Sequence, residues 1–394
     1  MEMLPSLALI LITSLFLGGV MNRLKLPALL GMLLSGILLG PYVFNQISPK
    51  LLDISSEIRQ IALIIILFRA GLSLDLSDLK KVGRPAFFLC FVPATFEILA
   101  VTFLGPLLLG LSTLDSMILG SILAAVSPAV VVPRMLHLME AGYGRDHRIP
   151  QMIMAGASVD DIYVIVVFTG LIAIATGGTF SWLTLANVPL AVILGVTIGY
   201  LLGSVLVLFF KRVHMRDTVK VILLLSASFF LVSLESVLVG KVAFSGYIAV
   251  MALGIAILKN YEILAKRLSG KFSKVWVAAE LFLFVMVGAA VQISSLRNVG
   301  FLAIALILLA LIVRSLGVLL SLSKTPIQPR EKLFCVYAYL PKATVQAAIG
   351  SIPLSLGLAS GNTLLSVAVL SILISAPLGA ILIDTNSTRL LQKK

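Results

Sequence analysis

The sequence predicts an all-α polytopic membrane protein of about thirteen transmembrane helices, built as two inverted six-helix repeats with two broken crossing helices. Three observations carry this. Of 394 residues, 60% are hydrophobic, against roughly 45–50% in soluble domains. Only 12% are charged, about half the soluble norm of roughly 25%. The apolar residues also come in stretches of span length, parted by short charged or Pro/Gly linkers. A soluble domain of this size does not bury so much apolar surface around one core. A disordered chain requires low hydrophobicity and high charge density.

The stretches fall at 5–21, 27–44, 58–73, 84–110, 115–137, 150–176, 182–210, 219–238, 242–258, 275–293, 299–322, 332–357 and 362–383. The first follows Glu2 with no basic region before it and no small-residue cleavage site. It is therefore expected to be a first span and not a signal peptide. Linkers such as Lys80-Lys81-Val82-Gly83-Arg84 mark the boundaries. No soluble domain is left over, so function is expected inside the bundle.

Net charge is +13, from 30 Lys+Arg and 17 Asp+Glu. In a soluble protein that excess would point to nucleic acid; here the loops explain it and no nucleic-acid partner is expected. With loops assigned alternately to two sides, one side holds only Lys50, Arg59, Lys241 and Arg297. Arg69, Arg314 and Lys342 lie within or at the edge of spans, and every other Lys and Arg falls on the opposite side. Basic loops face the cytoplasm. This predicts an odd number of spans in the cell membrane, N-terminus outside and C-terminus cytoplasmic. Cys90 and Cys335 lie in apolar stretches, and His137, His147 and His214 form no cluster. Neither a disulfide framework nor a resident metal or cofactor is expected.

Spans 4 and 11 carry an intramembrane acid, Glu97, and base, Arg314. Spans 5 and 12 are interrupted, by Ser127-Pro128 and by Pro341-Lys342. The matched pairs relate two six-span halves with span 7 between them, and an offset of seven spans inverts the topology. Broken hydrophobic segments at matching positions of two halves mark a transporter's binding site.

The chemistry centres on span 6, Met154-Ala155-Gly156-Ala157-Ser158-Val159-Asp160-Asp161-Ile162-Tyr163. Two adjacent carboxylates sit near its middle, where each acid is expensive and needs a compensating role. Low dielectric and like charge both oppose two bare carboxylates, so the pair holds a proton or a small cation and not easily both. That competition is the core of antiport. Ser158 shares a helix face with Asp161. Its hydroxyl can ligate a hard cation or bond its own helix backbone. In span 5, Pro128 and Pro133 favour an unwound segment with Ser127 at the break, freeing carbonyls that can hold an ion. In span 12, Lys342 follows the break at Pro341, with Thr344 and Gln346 nearby. At that depth the ammonium needs a partner, and an aspartate of span 6 is the expected one. Glu97 and Arg314 are expected to pair as a clasp between the helices beside the broken ones. Arg69, Glu235 and Glu280 fall near span ends and are assigned no chemistry.

At these residues the sequence resembles the NHA subgroup of sodium/proton antiporters, in the monovalent cation:proton antiporter-2 family. The motifs are Ala125-Val126-Ser127-Pro128-Ala129-Val130-Val131-Val132-Pro133, Gly142-Tyr143-Gly144, Ser158-Val159-Asp160-Asp161, and Leu340-Pro341-Lys342-Ala343-Thr344-Val345-Gln346-Ala347-Ala348-Ile349-Gly350. Phe68-Arg69-Ala70-Gly71-Leu72-Ser73-Leu74-Asp75 fits as well. The likeness covers essentially the whole chain, and the span 5 and span 12 motifs are specific to the subgroup. It implies the sodium/proton antiporter fold, a homodimer, and an elevator movement. Residues 1–79 and 214–296 (spans 1–3 and 8–10) would form the dimerisation domain and 178–213 (span 7) a linker. Residues 80–177 and 297–394 (spans 4–6 and 11–13) would form the ion-translocation core. Asp161 would be the main cation and proton carboxylate, Asp160 its partner paired with Lys342, and Glu97 and Arg314 the core ion pair. The transported ions would be Na⁺ or Li⁺ against H⁺, with membrane lipids the other contacts. The long N-terminal region of the family's animal members is not seen here, so a prokaryotic form is expected.

Two transport alternatives remain: K⁺/H⁺ exchange or K⁺ efflux, and a carboxylate-solute symporter, whose anionic substrate two core aspartates would repel. From another class, an intramembrane aspartyl protease needs two carboxylates facing each other across a site. Asp160 and Asp161 are successive on one helix, about 100° apart around its axis, so an enzyme is not expected.

Overall fold

The computed structural model describes residues 2–73, 83–177, 182–238 and 242–393, with side chains at 158, 182–189, 236, 293 and 295–299 left out. The expected domain boundary at 79–80, the start of the expected linker at 178, the basic residues Lys80, Lys81 and Lys241, and the Ser158 hydroxyl thus lie outside the described residues.

Each apolar stretch is helical. The helices are α1 Met3–Arg23, α2 Ala28–Leu39, α3 Pro49–Asp53, α4 Ser55–Ser73, α5 Arg84–Leu89, α6 Val92–Leu109, α7 Thr113–Ala124, α8 Pro128–Glu140, α9 Ile149–Thr176, α10 Trp182–Arg212, α11 Asp217–Leu238, α12 Gly246–Asn260, α13 Glu262–Ala289, α14 Ile293–Ser321, α15 Pro329–Ala338, α16 Thr344–Ile349, α17 Ile352–Ser355 and α18 Gly361–Leu390. Among the described residues, nine helical segments are long and apolar enough to cross a membrane. The other expected spans fall short of that measure for visible reasons. The helices α2 and α12 are short, α4 carries Glu57, Arg59 and Arg69, and the twelfth stretch is broken between α15 and α16.

Three details differ from the hydropathy reading. The tenth stretch begins as helix at Glu262 instead of 275, because its first turns are amphipathic. Leu264, Ala265, Leu268 and Phe272 are buried while Lys266 and Arg267 face out. The fourth stretch is two helices, with the turn at Cys90-Phe91 and Pro93 opening the second. The break in the fifth has Ser127 at its edge, as expected, but the unwinding does not extend to Pro133. Pro128 occupies the first turn of α8, where a missing N–H costs nothing. Pro133 stays inside the helix, and Arg134 Nη1 donates to the Val130 carbonyl (2.9 Å) in the turn that the proline loosens.

The chain divides into two compact units. The first comprises Met1–Arg59, Asp75–Phe168 and Leu281–Lys394. One of its cores joins α1, α2 and the end of α13 through Ile10, Leu39, Ile47, Leu51, Val285 and Met286. There α2 and α13 approach backbone to backbone. A methyl group on Gly36 would lie 2.9 Å from Val285 Cα, and one on Gly288 would lie 3.1 Å from Gly36 Cα. Small residues let membrane helices pack this closely. The other core gathers Leu89, Met135, Met152, Ile153, Phe334 and Tyr339 from α5, α8, α9 and the end of α15. At one end of this core, polar contacts tie the connections together. His147 Nδ1 lies 2.8 Å from Glu331 Oε2, Arg134 forks onto Asp384, and Gly144 N donates to the Gln392 carbonyl.

The second unit comprises Gln60–Leu74 and Thr169–Glu280. Its rings Phe68 and Phe272 meet with centroids 4.5 Å apart, tilted by 42°. Glu235 accepts from Gly246 N (2.8 Å) at the start of α12, which satisfies an orphan amide of that helix end.

Candidate functional site

The residues singled out at the two breaks and on α9 lie in the first unit, where the breaks meet. After α7 ends at Ala124, Ala125 and Ser127 are extended. After α15 ends at Ala338, residues 340–343 leave the helix before α16 starts at Thr344. The two irregular segments bond directly, Ser127 N donating to the Pro341 carbonyl (2.8 Å). Gln346 spans both breaks. Its Oε1 accepts from Ala343 N (2.8 Å), and its Nε2 donates to the carbonyls of Ala125 (2.8 Å) and Leu123 (3.3 Å). Ser375 of α18 accepts from Lys342 N (3.0 Å). Unwound backbone at membrane depth survives only when its polar groups find such partners.

Gln346→Ala strips partners from a buried amide and buried carbonyls at once. The expected cost is about 1–3 kcal/mol for each group left unpaired. It should appear as a lower thermal midpoint of the purified protein, larger than that of an exposed control such as Gln60→Ala.

Four buried charges surround the crossing. Arg314, fully buried, donates from Nη1 to Glu97 Oε2 (2.7 Å), from Nη2 to Asp160 Oδ2 (3.2 Å) and from Nε to the Tyr339 carbonyl (2.8 Å). Its Nη1 also meets the Ala124 carbonyl at the end of α7. Lys342 Nζ donates to the same Glu97 Oε2 (2.6 Å). Asp160 Oδ2 accepts a further bond from Val126 N (2.9 Å) inside the first break. The clasp of Glu97 with Arg314 is therefore present. Lys342 reaches Glu97 and not an aspartate of span 6. Glu97 Oε2 thus accepts from both cations, while Arg314 and Val126 N hold one oxygen of Asp160. Two bases against Glu97 and Asp160 balance the charge locally, leaving Asp161 as the extra acid.

Several oxygens here are committed to nothing. Ser127 Oγ, Asp160 Oδ1, Asp161 Oδ1 and Thr344 Oγ1 are buried with no hydrogen-bond partner among the described residues. All four come from residues singled out in the sequence, at the two breaks and on α9. A buried oxygen without a partner is costly. A set of carboxylate and hydroxyl oxygens suits a hard monovalent cation, or a proton on one carboxylate. Asp160 is fully enclosed, whereas Asp161 retains 7% exposure. Among the described residues no cluster of three or more His, Cys, Asp or Glu forms a metal-binding group.

Some participants carried no signal. The carbonyls of Ala124 and Tyr339 and the amide of Val126 act through backbone, which residue identity does not encode. Ser375 lies inside the continuous helix α18, two residues before Pro377, and no break marks it.

Comparison with known proteins supplies independent information. A family model described as "Sodium/hydrogen exchanger, transmembrane" matches residues 9–385. The chain is 38% identical over 387 residues to sodium/hydrogen exchanger 9B2 of Homo sapiens, covering 93% of this chain and 70% of that protein. It is 34% identical over 384 residues to human sodium/hydrogen exchanger 9B1, covering 93% and 73%. Among solved structures, the sodium proton antiporter MjNhaP1 from Methanocaldococcus jannaschii at pH 8 superposes with a TM-score of 0.80. That match covers 98% of this chain and 96% of the other at 22% identity, a likeness of fold.

Proposed function

This chain belongs to the sodium/hydrogen exchanger family, and from that premise we propose that it exchanges Na⁺ or Li⁺ for H⁺, cation and proton competing for Asp160 and Asp161. Membership makes it a multi-pass membrane transporter of monovalent cations against protons, and not an enzyme. The observation that carries the finer reading is the set of uncommitted oxygens at the crossing. Asp161 Oδ1 and Asp160 Oδ1 lie buried without partners while two buried cations neutralise the acids around them. A site so balanced gains little from a second bare anion and much from a cation or a proton.

In this reading Asp161 carries the exchanged ion. Asp160, oriented by Arg314 and Val126 N, supplies the second carboxylate, and Ser127 and Thr344 supply hydroxyls. Lys342 and Arg314 compensate charge through Glu97. The site residues all fall within 80–177 and 297–394, which supports assigning those segments to a translocation core that moves in alternating access. Residues 1–79 and 214–296 are proposed to form the dimer scaffold and 178–213 the linker. The bias of basic residues supports a cell-membrane orientation with the N-terminus outside.

The test is proton flux into proteoliposomes loaded with a pH-sensitive dye and pulsed with Na⁺, Li⁺, K⁺ or choline. Sodium and lithium should drive proton movement and choline should not. The apparent cation KM should rise as pH falls, because protons occupy the same oxygens. A response to K⁺ alone would replace the cation assignment. A KM independent of pH would refute competition at one site.

A further inference from the structure

We propose that Tyr339 is a positioning residue for exchange: its ring holds Arg314 in the orientation that presents the guanidinium to Asp160. The inference rests on the exchange reading above and adds a residue to it.

Tyr339 is the residue at which α15 ends, and it is fully buried. It meets Arg314 twice. Its carbonyl accepts from Arg314 Nε at 2.8 Å, and the Arg314 Cζ lies 5.6 Å from the centre of its ring. The in-plane edges of the guanidinium are occupied by Glu97, Asp160, Ala124 and Tyr339 acceptors. With four of its five N–H donors turned to these acceptors, an aromatic ring is a neutral group that stabilises the cation from the face, most strongly where water is excluded.

What aims the ring is on α9. The Tyr339 hydroxyl makes no hydrogen bond among the described residues, so no polar anchor holds it. Instead it lies against Gly156. A methyl group on Gly156 would collide with the Tyr339 hydroxyl oxygen and would sit 3.1 Å from Leu89 Cβ. Gly156 lies one turn before Asp160 on the same face of α9. The ring is thus wedged against the helix that carries the carboxylates while it braces the arginine that binds one of them. A change at either contact reaches Asp160 without touching an ion-binding oxygen.

The experiment compares wild type with Tyr339→Leu, Tyr339→Phe, Gly156→Ala and the double variant Gly156→Ala/Tyr339→Phe. Each is purified, its thermal midpoint taken, and its Na⁺-driven proton flux measured over sodium concentration and pH in proteoliposomes. Tyr339→Leu removes the ring face; the apparent sodium KM should rise about tenfold, and the pH of half-maximal exchange should move to the alkaline side. Tyr339→Phe keeps the ring and should match wild type in both. Gly156→Ala should shift KM and pH profile as Tyr339→Leu does, and adding Tyr339→Phe should relieve it, because the collision is with the hydroxyl.

Folded Tyr339→Leu with unchanged KM and pH profile would overturn the proposal, as would Tyr339→Phe impaired as deeply as Tyr339→Leu. Should Tyr339→Leu not yield folded protein, the glycine pair decides: no relief of Gly156→Ala by Tyr339→Phe refutes the wedge. Wild-type vesicles without sodium-driven flux would instead refute the exchange reading, leaving the positioning to be judged from the same double variant's thermal midpoint.

Discussion

Asp161→Asn is expected to reduce cation-driven proton flux to the level of protein-free vesicles while the thermal midpoint stays within a few degrees of wild type. The two halves of that expectation have separate causes. Asparagine matches aspartate in volume, and Asp161 Oδ1 has no hydrogen-bond partner among the described residues, so the fold loses little. The exchange loses its ionisable carrier, because an amide neither releases a proton nor offers a charge to a cation. Asp160→Asn is expected to behave differently. The inner oxygen of Asp160 accepts from both Val126 N and Arg314 Nη2, so removing its charge weakens the break in span 5 as well as the site. Hydrogen bonds to charged groups contribute about 1.5–3 kcal/mol each, and Asp160→Asn should therefore lower the thermal midpoint where Asp161→Asn does not. The flux assay and a thermal scan on both variants check this together. Residual exchange near wild type in Asp161→Asn would move the carrier role elsewhere; equal stability losses in the two would contradict the assignment of Asp160 as the oriented carboxylate.

The contrast between the aspartates was only half legible in the sequence. Hydropathy placed both in the middle of span 6, and the cost of an acid there marked them as functional. What distinguishes them is direction: one turns towards Val126 and Arg314, the other keeps a trace of exposure. Adjacent residues on a helix point about 100° apart, and which one faces the crossing depends on how α9 rotates against its neighbours. The same limit applies to Lys342. Its burial demanded an acid, but which acid the ammonium reaches depends on how the helices pack, and there Glu97 Oε2 accepts from Lys342 and Arg314 together. Breaks were easier to read than contacts, since Pro128 and Pro341 act on their own backbone. Even there the reach of a proline is not legible: Pro133 lies inside α8, since a membrane helix can continue past a proline.

Glu97→Gln is expected to be among the most destabilising single changes in the protein, with a loss of about 3–5 kcal/mol, although Glu97 belongs to no proposed ion ligand set. One of its oxygens accepts from Arg314 at 2.7 Å and from Lys342 at 2.6 Å. An amide oxygen presents the same shape without the charge, so two buried cations lose their common anion in one step. Arg314 retains Asp160 and two carbonyls. Among the described residues Glu97 is the one side-chain acceptor given to the Lys342 ammonium, and its stranded charge is the larger part of the cost. It follows that Lys342→Met, harmful alone because it removes one of Glu97's partners, should partly rescue Glu97→Gln. The double variant should be more stable than Glu97→Gln, because breaking a buried pair costs more than replacing both members. Arg314→Lys gives a complementary reading. Lysine restores a positive charge near Glu97, but one ammonium cannot replace a guanidinium fork holding four acceptors, so stability should recover only in part relative to Arg314→Ala. Thermal midpoints of Glu97→Gln, Lys342→Met and their double variant close the cycle. Additive losses would mean that the two cations do not depend on a shared anion, and the charge balance proposed for the site would fall with that result.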